Sequence, residues 1–369
     1  MTEIRIGIIG LGGMSYSHME HIDKLKDVRI IAVSDTNAEA IERAANRYNI
    51  PKVKQYSDYT DLIKDPEVDA VLSITPNDVH YEIVKCCLLH KKPFMTEKPF
   101  TRTFQEAYEL NQLFDAEANQ MPSMVGYSYR YIASFRYARD LIRQGKLGPI
   151  RHVFVQYLQS WGLPMYETPM NWRYSHEISG TGVLADLGTH MVDAARYLIG
   201  EFEEVSAMLK NLVPQRRDPN SNNMIPVDID DFSGFLALLE NDVAGVFQTS
   251  RNAYGSGNQL EVTIYGEKGT LSVSCENPEQ LTWIHPNPEQ DNPSNSVKEL
   301  QKVPYEYVIG QMQDFFDMLR GNGRDGLPTL KDGYANQEVL EAIFQAAQAK
   351  RTIELADFRN KHLYAQGAN

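Results

Sequence analysis

Cysteine is scarce in this chain, with 3 in 369 residues, at positions 86, 87 and 275. Cys86 and Cys87 are neighbours that cannot easily bridge, and no metal-ligand spacing surrounds them. Neither a disulfide framework nor a zinc site is expected, and a reducing compartment is implied. Cationic side chains are also in deficit. The 36 Lys and Arg face 49 Asp and Glu, for a net charge of −13, which argues against nucleic acid or an anionic membrane as partner. Long apolar runs are absent, so no segment reads as spanning a bilayer. The first apolar strand begins at about residue 3, read as leaving no room for a signal peptide, and a cytoplasmic protein is expected. A hydrophobic share of 42% and a charged share of 23% are those of a globular protein. The length exceeds one ordinary core, so two domains are expected.

The strongest signal is at the beginning of the chain. Ile4–Ile9 is an apolar run of buried-strand length that enters Gly10-Leu11-Gly12-Gly13-Met14-Ser15. A helical stretch follows, and then a second apolar strand, Val28–Ser34, that ends on Asp35. Strand, glycine turn, helix, strand and acid in this order form a dinucleotide-binding unit, although Ser15 stands where the last fingerprint glycine is usual. Gly10 permits the tight turn, and Gly12 lets the backbone approach a pyrophosphate on the helix N-terminus. Asp35 accepts from ribose hydroxyls and would repel a 2′-phosphate. With Thr36 and Asn37 following and the nearest cation at Arg43, NAD is favoured over NADP.

Residues 1–125 alternate apolar runs with amphipathic helical stretches, the pattern of a parallel sheet with helices on both faces. Residues 126–369 form the second domain. There the strand-like runs Arg151–Gln159, Asp231–Leu239, Ala244–Ser250 and Leu260–Ile264 are longer and alternate. The turns 240–242 and 266–269 read as hairpins. A large, mainly antiparallel open sheet is expected, its exposed face suited to an oligomer interface. The polar segment 214–227 reads as a long loop and 285–296 as an Asn/Pro-rich one. Helices at 305–320 and 330–350 close the chain, the last packing back on the first domain.

In open parallel sheets ligands bind at the carboxyl ends of strands, which singles out Thr75-Pro76-Asn77, Glu97-Lys98-Pro99 and Tyr127–Arg130. A Lys there can hold a reacting alcohol oxygen and stabilise alkoxide charge; it can equally be a surface Lys after a strand. In Gly180–Asp193, a helical stretch after a glycine turn places Asp186 and His190 four apart on one face. A His beside a carboxylate suits a general base near neutral pH. The alternatives are an inconsequential surface pair or a metal site with His176 as a further ligand; no metal is expected. Trp172-Arg173 can wall a polar pocket or simply pack. Tyr127, Tyr129, Tyr131, Tyr157, Tyr166 and Tyr174 are rings that can stack on sugar or inositol faces or fill core.

Together, Gly10–Met14, Glu97-Lys98-Pro99, Trp172-Arg173 and Asp186…His190 resemble the glucose–fructose oxidoreductase / inositol dehydrogenase (Gfo/Idh/MocA) family. Val125–Arg130 and Tyr265–Thr270 extend the resemblance over nearly the whole chain. It implies a Rossmann domain followed by an α/β domain with a large open sheet, in dimers or tetramers. It implies catalytic residues at Lys98, Asp186 and His190. The residues expected to hold NAD are Gly10, Gly12, Gly13, Met14, Asp35, Thr36, Thr75, Pro76, Asn77, His80, Glu97, Lys98, Trp172 and Arg173. Those expected to contact substrate are Lys98, Tyr129, Arg130, Tyr157, Asp186 and His190. Several inositol dehydrogenases carry paired arginines where this chain has Tyr129-Arg130. The implied activity is oxidation of a secondary ring hydroxyl of a small cyclic polyol or sugar. An NAD-using glycosidase and a non-catalytic dinucleotide-binding regulator are the alternatives.

Overall fold

The computed structural model describes residues 3–118, 120–289 and 295–366, so 290–294 of the Asn/Pro-rich stretch lie outside it. The chain divides into two units, Met1–Tyr127 with Ile309–Gln337, and Ser128–Val308 with Glu338–Asn369. The second division falls within one long helix, Leu330–Ala349.

The first unit alternates β1 (Ile4–Ile9), α1 (Gly13–Ile22), β2 (Val28–Ser34), α2 (Ala38–Tyr48), β3 (Gln55–Tyr56), α3 (Tyr59–Lys64), β4 (Ala70–Ser73), α4 (His80–Leu89), β5 (Phe94–Thr96), α5 (Phe104–Leu113) and β6 (Ser123–Val125). The strands form one parallel sheet in the order β3-β2-β1-β4-β5-β6. β4, β5 and β6 are buried along their whole length, as strands covered on both faces must be. Caps set the helix starts. The Asn37 side chain accepts from the Glu39 and Ala40 N–H groups ahead of α2, and Thr103 with Glu106 forms a reciprocal box ahead of α5. One side of the sheet buries Ile9, Ala32, Val71, Phe94 and Val125 with Phe100, and Leu330 from the C-terminal segment joins that core.

In the second unit α6 (Ala133–Arg143), β7 (Ile150–Leu158), α7 (His176–Ser179) and α8 (Thr189–Leu198) precede β8 (Phe202–Lys210), β9 (Gln215–Arg217), β10 (Met224–Pro226), β11 (Phe232–Leu239), β12 (Val243–Ser250), β13 (Gln259–Gly266), β14 (Gly269–Ser274), β15 (Gln280–Pro286), β16 (Ser296–Lys302) and β17 (Ile353–Glu354). Nine of these strands make one sheet, β16-β15-β14-β13-β7-β12-β11-β8-β17. It is mostly antiparallel, with β12 parallel to β7. In β7 and β12, Val153, Val155, Tyr157, Val243 and Phe247 are buried on one face. On the other face Phe154, Val246 and Leu236 fall in one cross-strand row, with Met208 in the next. These four remain 40–59% exposed, so this face carries an apolar patch.

Segment 214–227 is not a plain loop. β9 and β10 pair into a small hairpin. Arg216 accounts for this: its guanidinium is buried, donates to the Gly162 and Thr168 carbonyls, and lies 3.9 Å from the centre of the Tyr174 ring. Among the described residues, no helix is long and apolar enough to cross a membrane.

Gly10 is required by its backbone. Its φ is +86°, and a Cβ there would collide with the Ile74 carbonyl oxygen. Gly10→Ala is expected to cost more than about 1 kcal/mol, read as a lower unfolding midpoint; an unchanged midpoint would show that the turn relaxes.

Candidate active site

The glycine turn is braced from behind by Asp35. Its Oδ2 accepts the Leu11 N–H at 2.7 Å and its Oδ1 accepts the Asn37 N–H at 2.8 Å. One carboxylate thus fixes both the turn and the start of α2. Gly12 and Gly13 face open space, with nothing within 4 Å of a Cβ built at either. No side chain caps the N-terminus of α1 and no acid stands in its first turn. Its N–H groups and positive dipole end are therefore available to a diphosphate, so the residues present fit a dinucleotide. Met14 and Thr36 are exposed beside this turn.

At the carboxyl ends of β4 and β5, Thr75 is half-buried, Pro76 exposed and Asn77 buried. His80 differs from the expectation that it touches the cofactor, because it has no exposed surface. Its Nδ1 lies 2.8 Å from the Pro99 carbonyl oxygen and its Nε2 3.0 Å from that of Thr75. Burial pulls its pKa below the usual value, against the opposing pull of the two carbonyls. The imidazole ties the turn at 75–77 to that at 97–99. Glu97 is likewise engaged within the fold. Its Oε1 lies 2.7 Å from His18 Nε2 on α1, and its Oε2 accepts the Lys98 N–H at 3.2 Å. Burial pushes this carboxyl up, but His18 and Lys98 outweigh it and hold it below the usual Glu range.

That depressed carboxyl stabilises the fold above the ordinary Glu value, and the contribution is lost as pH falls through the lower folded value. His18→Ala is expected to lose about 1–3 kcal/mol near neutral pH. The gap from wild type should close in acid, where a protonated Glu97 no longer needs the imidazole. Denaturant melts at both ends of that range test this, and a gap that is equal at both would contradict it.

In the second unit the residues around His190 are placed by a buried carboxylate. Asp230 Oδ1 accepts the Gly182 N–H at 2.6 Å and Oδ2 the Leu184 N–H at 2.9 Å, while the Val183 N–H bonds the Asp230 carbonyl. Burial raises the Asp230 carboxyl, and the two N–H groups oppose that rise. Gly182 lies so close to Asp230 that a Cβ would collide with its carbonyl oxygen. The run from Leu184 to Gly188 is a wide π-turn, and α8 starts only at Thr189. Asp186, expected to share a helical face with His190, thus stands in the π-turn and His190 in the first turn of α8. Such bulges are frequent at functional sites.

His190 is buried, and its ring meets two phenols nearly edge-on. The Tyr129 centroid lies 4.6 Å away at 82°, that of Tyr157 6.2 Å away at 60°. The two phenol oxygens bond each other. Tyr157 Oη donates to Asn258 Oδ1 at 2.6 Å, Asn258 Nδ2 donates to Tyr129 Oη at 2.9 Å, and Gln159 Nε2 donates to Asn258 Oδ1 at 2.7 Å. Burial pushes both phenols up, so they stay neutral and act as hydroxyl donors. Asp186 is half-buried, its Oδ2 3.4 Å from the Arg251 guanidinium.

Arg130 sits differently from a substrate-contacting group. It is 5% exposed, and Asp193 takes its Nε at 2.9 Å and Nη2 at 2.6 Å. Trp172 and Arg173 are half-buried and stack on one another at 4.3 Å, with the Asn171 side chain accepting the Arg173 N–H. His176 is exposed. The structure thus gathers Gly10, Gly12, Gly13 and Asp35 around one turn, and Tyr129 and Tyr157 around His190. His18, Asp230, Arg251 and Asn258 are the residues that sequence reasoning missed. Their side-chain partners named above lie 46 to 129 positions away, beyond any local pattern.

Residues 4–127 match the description "Oxidoreductase family, NAD-binding Rossmann fold", and residues 135–272 match the "GFO/IDH/MocA C-terminal domain". A levoglucosan dehydrogenase from Pseudarthrobacter phenanthrenivorans is 27% identical, over 96% of this chain and 99% of the relative. A myo-inositol 2-dehydrogenase from Thermotoga maritima is 25% identical with the same coverage of both chains. A solved levoglucosan dehydrogenase in complex with NADH and L-sorbose superimposes with a TM-score of 0.85 at 26% identity, covering 96% of this chain and 99% of that one. With an NAD-binding Rossmann unit and a matching C-terminal domain, the chain belongs to the Gfo/Idh/MocA oxidoreductase family.

Proposed function

We propose that the protein is an NAD-dependent dehydrogenase that oxidises a secondary ring hydroxyl of a cyclic polyol or sugar, an inositol or a pyranose, to a ketone. The observation that carries this reading is the setting of His190. A buried imidazole edged by two neutral phenols joined to amides, in a chain that also holds an NAD-binding unit, suits deprotonation of a polyhydroxylated ring. The names of the relatives agree in substrate class: levoglucosan is an anhydrosugar and myo-inositol a cyclic polyol.

When bound, NAD supplies the hydride acceptor. Gly10, Gly12, Gly13 and the start of α1 would hold its diphosphate, and Asp35 its ribose, which favours NAD over NADP. Lys98 holds the reacting oxygen and stabilises its developing negative charge. His190 takes the hydroxyl proton as the carbinol hydrogen leaves with its electron pair. Asp186, as an anion, favours the imidazolium that results or binds a neighbouring hydroxyl. Arg130, committed to Asp193, fixes the helix that carries His190. Tyr129 and Tyr157 offer ring edges and hydroxyls to the substrate ring.

Incubating the protein with NAD or NADP and a panel of inositols, pyranoses and anhydrosugars tests the reading. Net NADH with a matching ketone is expected. Aglycone release without net NADH would favour a glycosidase, and tight NAD binding without turnover a regulator. His190→Ala is expected to lower kcat by about a hundred- to ten-thousand-fold while NAD affinity holds. Near wild-type turnover would make Lys98 the leading base.

The apolar row Phe154, Val246 and Leu236, with Met208 beside it, supports a second copy of this chain as cover for the open sheet. Light scattering is expected to give a mass of at least twice 42.0 kDa for the wild type and a monomer for Leu236→Asp. A monomeric wild type would refute the interface.

A further inference from the structure

Arg251 follows β12 and has no exposed surface. A guanidinium does not shed its proton in a protein core, so its charge must be met where it lies. Among the described residues, the carboxylate within ion-pair reach is Asp186, with Oδ2 3.4 Å from Nη2. On the other side Nη1 donates to the Arg173 carbonyl at 3.3 Å. The backbone of Arg251 joins in as well, since its carbonyl accepts the Gly162 N–H at 2.9 Å and its N–H bonds the Asp231 carbonyl at 3.2 Å. Two rings flank the cation, Trp161 at 5.1 Å and Tyr174 at 5.4 Å. A Cβ on Gly162 would come within 2.7 Å of Arg251 Cβ, so this segment is drawn down onto Arg251.

Arg251 therefore touches three stretches remote from it in sequence: the loop at Trp161–Gly162, the Trp172-Arg173 segment, and the π-turn that carries Asp186. The last two hold residues expected to meet cofactor and substrate. We infer that Arg251 is a positioning residue for the dehydrogenase site, holding the Asp186 carboxylate in place and ionised and tying it to the Trp172-Arg173 backbone. The inference rests on the proposed dehydrogenase reading. Asp186, countercharge to a buried cation, acts as a fixed anion and does not shuttle a proton. Lysine at position 251 would keep the charge but lose the fork that reaches the Arg173 carbonyl and Asp186 together.

A double-mutant cycle in the full-length protein tests this, with kcat scaled to the fraction that binds NAD. Arg251→Met and Asp186→Asn are each expected to lower kcat about tenfold or more, and the double variant to fall within about threefold of Asp186→Asn alone, because groups that act as a unit are not additive. Arg251→Lys is expected to recover part of what Arg251→Met loses. It also allows the same cycle if the methionine variant does not fold. A residue that only holds the core together would lower the unfolding midpoint and leave kcat per folded molecule unchanged, and that result would overturn the inference. Multiplicative losses in the cycle would overturn it too, while leaving the dehydrogenase reading intact. A wild type that oxidises no polyol or sugar would overturn that reading, and the role assigned to Arg251 with it.

Discussion

Two hydrogen bonds from backbone N–H groups to the Asp230 carboxylate fix the backbone that leads into the helix of His190. They set the glycine turn at 180–182, the turn launches the π-turn and α8, and α8 carries His190. The same device recurs in the first unit. Asp35 accepts the Leu11 N–H behind the dinucleotide turn, and Glu97 accepts the Lys98 N–H beneath the candidate ammonium. Hydrogen bonds to a charged group contribute about 1.5–3 kcal/mol each, more than an ordinary turn bond. Irregular backbone at these three places is held by hydrogen-bonded acids. Positions where a side chain would intrude on that arrangement, Gly10 and Gly182, are glycine for that reason.

Each unit contributes a different kind of order. The parallel sheet places short turns at the carboxyl ends of its strands, and these turns hold backbone donors, an acid and a lysine. The mixed sheet instead offers side chains from a long, regular surface. Tyr157 on β7 and Asn258 just before β13 meet Tyr129 across separations of 28 to 129 residues. Its buried face supports the helix that carries His190, and its open face carries the exposed apolar row of Phe154, Val246 and Leu236.

Much of this was legible in the sequence. The βαβ unit ending on Asp35 reads directly, since buried parallel strands are continuous apolar runs and a glycine turn has few other uses. Val153, Val155 and Tyr157 alternate with exposed neighbours, so the mixed sheet reads almost as well. Four features did not. The hairpin at 215–226 looked like a polar loop because Arg216 is charged, and only tertiary carbonyls and a tyrosine ring make it a buried residue. The π-turn hides inside a normal helical pattern, since one extra residue per turn leaves composition unchanged. The pairs His18–Glu97 and Arg251–Asp186 span 79 and 65 residues, a distance at which periodicity carries no signal. His80, which the family resemblance places among the cofactor contacts, is instead buried between two carbonyls.

The claim at the centre of this account is that the carbinol hydrogen leaves its carbon as hydride and goes to the nicotinamide. Supplying the oxidisable polyol with deuterium on that carbon, and recovering the reduced dinucleotide for NMR, tests it most directly. The account requires the label at the nicotinamide C4 position on one face of the ring. Deuterium found in solvent water, with none in the dinucleotide, would contradict it.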